Sequence, residues 1–81
     1  MKNFSPTTIK NLCGLSRSLE LARIELDKAE RIYNAEYFYY QAASDAQHLY
    51  NLQRALIARN EAKKVYDQKV NTFELAVLDA K

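Results

Sequence analysis

The side chains that most often carry out catalysis are few in this sequence and are poorly spaced for chemistry. Its one histidine, His48, has no serine, cysteine or carboxylate at a spacing typical of a nucleophile or a metal site. The one cysteine, Cys13, lacks neighbours that would make its thiol reactive, and we expect it to be a small buried apolar group. Glu25, Glu30 and Glu36 do not form the Glu-x-x-His pattern of di-iron helix bundles. The sequence therefore predicts a protein that is not an enzyme and has no metal or cofactor.

Aromatic side chains form the most distinctive cluster of the sequence, close to its middle. They are Tyr33, Tyr37, Phe38, Tyr39 and Tyr40. Successive residues of a helix are about 100° apart, so four consecutive aromatics surround the helix and one partner helix cannot cover them all. Tyrosine offers a large contact area and a hydroxyl group at low entropic cost, which favours interfaces. The cluster is either the wide, aromatic-filled end of a helix bundle or a partly exposed surface that binds a protein partner.

A basic segment follows in the second half of the chain. Its five basic residues, set against Glu61 and Asp67, are Arg54, Arg59, Lys63, Lys64 and Lys69. With Tyr50 and Tyr66 nearby, this segment would suit the phosphates of a nucleic acid. The other interpretation is an ordinary solvated helix face. The whole chain has 12 basic and 10 acidic side chains, a net charge of +2 that is too even to indicate nucleic acid by itself.

Composition indicates an all-α protein. The sequence has one glycine and one proline, and it is rich in alanine, leucine, glutamate, lysine, glutamine and arginine, which are good helix formers. The turn residues that a β domain needs are missing. The 81 residues fit a single domain over 1–81. A lone chain of this size buries only about 60% of its unfolded surface, which favours association with a second copy or a partner.

A heptad pattern dominates the first half of the chain. Ser5 as N-cap and Pro6 at the first helical position predict a helix start. Alternate steps of three and four then give a coiled-coil-like line of apolar or aromatic residues, with Glu36 as the exception. The line consists of Leu12, Leu15, Leu19, Ala22, Leu26, Ala29, Tyr33, Glu36, Tyr40 and Ala43.

The second half has an apolar line of its own, and the two halves differ in phase near residues 43–48. This line consists of Leu52, Ala55, Ala62, Tyr66, Phe73 and Ala76, and strict spacing would add Arg59 and Lys69. Ser44 followed by Gln47 matches a capping box, with Ser44 as the N-cap of a second helix. The pattern predicts an antiparallel helical hairpin with a helix at about 6–42, a turn at about 43–45 and a helix at about 45–79. The core of the hairpin and its dimer is expected at Leu12, Leu15, Leu19, Leu26, Leu52, Tyr66 and Phe73.

Two oligomeric arrangements are compatible with this pattern. The first is a hairpin that pairs with a second copy as a homodimer to form a four-helix bundle, or that stays a monomer and docks its open face on another protein. The alternative is a single long, bent helix in a coiled-coil oligomer. The N-terminal segment lacks the apolar run of a signal peptide, and no stretch reaches the roughly 20 apolar residues that cross a bilayer. With a single unpaired cysteine, these features predict a cytoplasmic protein without a membrane partner.

The expected function is protein binding by a small helical protein that modulates or inhibits its partner, with the aromatic cluster as its partner site. Compact helical proteins of this kind are frequent among phage and plasmid products that redirect host complexes, which is an argument by analogy alone. The alternative is a dimeric helical regulator that binds nucleic acid through the Arg54–Lys69 segment.

Overall fold

The computed structural model describes residues 5–80, with side chains through Asp79, and these residues form two α-helices. Helix α1 spans Pro6–Ala42 and helix α2 spans Ala46–Ala80. They pack against each other as a hairpin that measures 60 × 17 × 14 Å. The predicted all-α hairpin is therefore confirmed, and the single long helix is not the fold. The domain predicted over 1–81 includes residues 1–4 and 81, which lie outside the described range.

Helix α1 begins where the sequence predicts. The Ser5 hydroxyl accepts a hydrogen bond from the Thr8 backbone amide at 3.1 Å, and Pro6 occupies the first helical position. This cap satisfies one of the amides that the first turn of a helix leaves without a partner. Helix α1 then continues without a break through Gly14 to Ala42.

The face of α1 that packs on α2 follows the heptad line. Residues along this line are half-buried or buried, whereas most residues between them are exposed; they are Leu12, Leu15, Leu19, Ala22, Leu26, Ala29, Tyr33, Glu36 and Tyr40. Ala43 does not belong to the line, although the sequence pattern includes it. It is exposed because α1 ends one residue before it.

The opposing face of α2 carries the second apolar line. Its members are half-buried, or buried in the case of Ala55; they are Leu52, Ala55, Ala62, Tyr66, Phe73 and Ala76. Strict heptad spacing also selects Arg59, which is half-buried, and Lys69, which is exposed. Val70 takes the inward position beside Lys69. The apolar line of α2 thus includes one arginine, Arg59, and at Lys69 the inward position moves to the next residue, Val70.

The core of the isolated hairpin is thin. Among the described residues only Ala22 and Ala55 are buried, with 8% and 6% of their surface exposed. All seven residues predicted for the core are half-buried. Two helices cover each other on one side only, so the larger apolar side chains of the two lines keep contact with solvent at their edges. Neither helix of the described chain has an apolar stretch long enough to cross a bilayer.

The turn between the helices is short, and hydrogen bonds close the end of α1 and the start of α2. The Ala43 amide donates to the Tyr39 carbonyl at 2.9 Å, and the Ser44 hydroxyl donates to the Tyr40 carbonyl at 2.9 Å. The Asp45 carboxylate accepts from the His48 amide at 2.8 Å. A reversal without glycine is possible because side chains satisfy the polar groups at the end of α1 and the start of α2.

The predicted capping box at Ser44 and Gln47 is wrong by one residue. Asp45 is the N-cap of α2, and Ser44 instead closes the end of α1. Gln47 does not reach back to the Ser44 amide; its side-chain amide donates to the Asn51 side chain at 3.1 Å. A carboxylate forms a stronger, charge-assisted bond to a backbone amide than a hydroxyl does, which favours Asp45 as the cap. Helix α2 accordingly begins at Ala46 rather than at the predicted residue 45.

Candidate partner-binding site

The aromatic cluster divides into two groups in the structure. Tyr33 and Tyr40 are half-buried on the face of α1 that packs on α2. Tyr37, Phe38 and Tyr39 point away from that face and expose 46%, 66% and 51% of their surface. We call these three residues the aromatic patch. A two-helix hairpin cannot cover a ring of consecutive aromatics, so the outer members remain open to solvent.

Tyr33 connects the patch to the second helix. Its ring stacks on the ring of Tyr37, with centroids 6.2 Å apart and planes inclined by 29°. The Arg59 guanidinium lies over the ring of Tyr33, 4.6 Å from its centroid. A guanidinium is attracted to the negative face of an aromatic ring, which explains how an arginine is accommodated on the helix–helix face. The stack of Arg59, Tyr33 and Tyr37 therefore holds one edge of the patch in place.

The other two rings of the patch contact each other. Phe38 and Tyr39 are arranged edge to face, with centroids 6.1 Å apart and planes at 69°. This geometry is favoured between aromatic rings because the positive edge of one meets the negative face of the other. The pair presents a large apolar surface that carries the Tyr39 hydroxyl.

The start of α2 extends this exposed surface at the turn end of the hairpin. Leu49 and Tyr50 are both exposed in its first turns. The Tyr50 hydroxyl accepts a hydrogen bond from Arg54 Nη1 at 3.0 Å, and the Arg54 guanidinium lies 5.7 Å from the centroid of the same ring. Arg54 is thus held against Tyr50.

Asp45 and His48 dominate the electrostatics of the turn. Besides the backbone amide of His48, Asp45 Oδ1 contacts His48 Nδ1 at 2.7 Å. The hydrogen bond from the His48 amide, followed by that from its side chain, lowers the pKa of Asp45. Asp45 is the only residue with a formal charge at pH 7 between Tyr37 and Gln53, if the histidine is neutral. Residues 37–53 are therefore rich in aromatic side chains and have one formal charge, and that carboxylate is engaged as a helix cap, while the guanidinium groups of Arg54 and Arg59 lie against Tyr50 and Tyr33.

The basic residues of the second half do not share one face. Lys63 and Lys64 line a shallow, polar depression on the outer side of α2 together with Asp67. Lys69 lines a different depression, between the helices. Arg59 is directed to Tyr33 and Arg54 to Tyr50. Only Lys63 and Lys64 remain together as a basic pair.

The structure also places the residues considered for catalysis. Cys13 is exposed, so its predicted burial is wrong: it follows Leu12 on α1 and is rotated away from the face that packs on α2. His48 is half-buried and bonded to Asp45. Within residues 5–80, no three histidine, cysteine, aspartate or glutamate side chains are grouped as a metal site would require.

Sequence reasoning missed two contacts that shape this site. The hydrogen bond between Asp45 and His48 could have been predicted from the sequence. An aspartate lies three residues before a histidine at a helix start, and this is the spacing of a capping box. The contact between Arg59 and Tyr33 was signalled only by the heptad position of Arg59. Comparisons with protein-family models, with the sequences of characterised proteins and with solved structures gave no match.

Proposed function

We propose that this chain is a non-enzymatic helical protein that binds a protein partner through the aromatic patch and thereby modulates that partner. The observation that carries the proposal is the exposure of Tyr37, Phe38 and Tyr39 beside the turn, in a region with one formal charge. The centres of protein interfaces are enriched in aromatic side chains and depleted of charged ones. Residues 37–53, which include the aromatic patch and the turn, have this composition.

The supporting geometry is the partial ordering of the patch before any partner binds. Tyr37 is stacked on Tyr33, which lies under Arg59, and Phe38 contacts Tyr39. Aromatic side chains that are already held in place lose less conformational entropy on binding than free ones. Helices also hold a surface more rigidly than a loop does.

The experiment compares capture of proteins from cells that produce this chain by the wild type and by Phe38→Ala, in the presence of nuclease. Phe38→Ala should weaken capture of a specific protein at least about tenfold, because truncation of a central aromatic anchor typically costs 2 kcal/mol or more. Ile57→Ala is the matched control, since Ile57 is 62% exposed on α2 outside the patch. Equal capture by wild type, Phe38→Ala and the Tyr37→Ala and Tyr39→Ala variants would refute the proposal, provided that circular dichroism shows unchanged helicity.

A second candidate function is nucleic-acid binding through the basic pair. Lys63 and Lys64 favour it because both are exposed and line the same polar depression on the outer side of α2. Contacts to phosphates would make binding fall steeply with salt, and the double variant Lys63→Glu/Lys64→Glu would abolish it. An electrophoretic mobility assay at two salt concentrations separates this candidate from the first.

The proposal also includes a homodimer in which two hairpins form a four-helix bundle. It is supported by the thin core of the isolated hairpin, where only two alanines are buried among the described residues. In a bundle of two hairpins, each helix packs against more than one neighbour.

A further inference from the structure

A shallow groove runs along one side of the hairpin, where α1 and α2 meet. Its middle consists of two adjoining depressions that share Glu25 and Ala62. Alanines form the floor, and the walls carry the exposed side chains of Leu21, Ile32 and Val65. We call this feature the lateral groove. It is distinct from the aromatic patch, none of whose residues lines it.

Only one side of α1 offers such an apolar middle. Ser18, Glu25 and Ile32 line the groove and are spaced seven residues apart, which places them along one edge of the helix. The opposite edge carries Arg23 and Glu30 at the same level, again seven residues apart. On α1, the edge along the lateral groove therefore has one charged residue of three at this level, whereas the opposite edge has two in succession.

The surface area of the chain is large enough to accommodate an interface. The structure exposes 6429 Å². Surface scaling for folded monomers gives roughly 5,000 Å² for a chain of 9.4 kDa. The elongated shape of the hairpin contributes to this excess of roughly 1,400 Å², which is larger than the roughly 800 Å² that each partner buries in an interface of standard size. The hairpin thus has enough surplus surface for one such interface along its length.

The charges of the groove select the occupant. Four charged residues line its middle, two acidic and two basic: Glu25, Lys28, Glu61 and Lys69. Lys28 Nζ lies 3.6 Å from Glu25 Oε1, so one pair of opposite charges is already matched within the chain. A strongly acidic or basic partner would gain nothing from such a balanced set. A second copy related by a two-fold axis presents the same balanced set and can place opposite charges against each other.

We infer that the lateral groove is the face through which two copies of this chain pair, so that the Leu21, Ile32 and Val65 side chains become buried in a four-helix bundle. The helices of such a bundle approach closely where small residues line the contact, and the groove floor contains Ala22, Ala29 and Ala62. This inference rests on the homodimer of the proposed function and not on partner binding by the aromatic patch. Pairing through the groove leaves Phe38 on the outer face of α1, whereas Tyr39, seven residues after Ile32, lies on the edge of the groove.

The first test measures the mass of the full chain in solution by sedimentation equilibrium at micromolar concentrations. We expect the wild type to have twice the 9.4 kDa mass of one chain. Leu21→Glu and Val65→Glu should each raise the dissociation constant at least about a hundredfold, because each places an unpaired charge in an apolar contact. Ile57→Glu is the control: Ile57 is 62% exposed, close to the 58% of Leu21, but does not line the groove, so its substitution should leave the mass unchanged.

A second test covers the case in which a broken dimer no longer folds. In a Cys13→Ser background, Glu25→Cys places a thiol in the groove and Glu30→Cys places one on the opposite edge; both parent residues are exposed. We expect maleimide labelling of Glu25→Cys to slow at least about tenfold between dilute and concentrated protein, while labelling of Glu30→Cys stays constant. The inference is overturned by a monomeric wild type, by a dimer that tolerates both groove substitutions, or by protection at Glu30→Cys instead. None of these outcomes bears on partner capture by the aromatic patch.

Discussion

The middle of the hairpin and its turn end use the same heptad positions for different purposes. In the middle, the line of α1 is occupied by Ala22 and Ala29, and these small side chains let α2 come close. Near the turn, the same line is occupied by Tyr33 and Tyr40, with Arg59 inserted from α2. Larger side chains at equivalent positions fill more space between the helices, and the rings beside them remain outside. The size of the residue on the line thus separates a region suited to packing from a region suited to recognition.

The largest expected effect comes from enlarging a buried alanine in the middle. Ala22→Leu should lower the free energy of unfolding by about 1–3 kcal/mol, because Ala22 is only 8% exposed and the added carbon atoms must push the helices apart. Ala35→Leu is the matched control on an exposed position of α1 and should change that free energy by less than about 0.5 kcal/mol. Urea unfolding followed by circular dichroism measures both. Equal effects of the two substitutions would mean that the middle is not the close contact described above.

A smaller effect is expected from the stack at the turn end. A double-mutant cycle with Tyr33→Leu and Arg59→Met removes the ring, the guanidinium or both. The coupling free energy should be about 0.5–1 kcal/mol, the range for a partly exposed cation–aromatic contact. A coupling near zero would show that Arg59 and Tyr33 are neighbours without mutual stabilisation, and that the edge of the patch is not held by α2.

The Asp45 cap of α2 should stabilise the fold less than the contact of Arg59 with Tyr33, and only at a pH at which its carboxylate is ionised. The pKa of Asp45 is lowered in the folded chain, so its ionised form binds protons less readily than in the unfolded chain, where the pKa is about 3.9. The stabilisation is therefore complete above that value and is lost as the pH falls through the lower folded pKa. The urea midpoint of the wild type should exceed that of Asp45→Asn at pH 7, and the difference should vanish at strongly acidic pH. A difference that is constant with pH would contradict the charged cap.

The smallest effect on stability is expected in the patch itself. Phe38→Ala should change the free energy of unfolding by less than about 0.5 kcal/mol, because the side chain is largely exposed and packs only on Tyr39. The same urea experiment measures it. A loss similar to that of Ala22→Leu would assign Phe38 to the structural core and remove the contrast between the two regions.

The sequence predicts most of the fold because the heptad spacing of its apolar residues defines the packing face of each helix. The line of α1 could be read residue by residue from Leu12 to Tyr40, and the change of phase near residue 43 predicted the hairpin. The identity of the cap could not be read with the same certainty, since Ser44 and Asp45 are both good N-caps and only geometry decides between them. Cys13 was misplaced because it directly follows an inward leucine, where a rotation of one residue separates inside from outside.

The site was harder to predict than the fold. Consecutive aromatics indicate that some rings must be exposed, but the sequence does not say which ones. The division into half-buried Tyr33 and Tyr40 and exposed Tyr37, Phe38 and Tyr39 depends on how α1 is rotated against α2. The lateral groove could not be foreseen either, because its lining combines residues of α1 and α2 that lie far apart along the chain. Contacts across the hairpin belong to tertiary structure rather than to either helix alone.

The most direct test of the account is hydroxyl-radical footprinting of the purified chain, followed by mass spectrometry, at a concentration where the dimer is formed. We expect Phe38 and Tyr37 to be oxidised as fast as in dilute protein, while Leu21, Ile32 and Val65 are protected relative to dilute protein. This result would leave the aromatic patch free for a foreign protein and place the second copy on the lateral groove. Protection of Phe38 and Tyr37 in the purified chain, with free reaction at Leu21 and Val65, would show that the second copy covers the patch and would contradict the account.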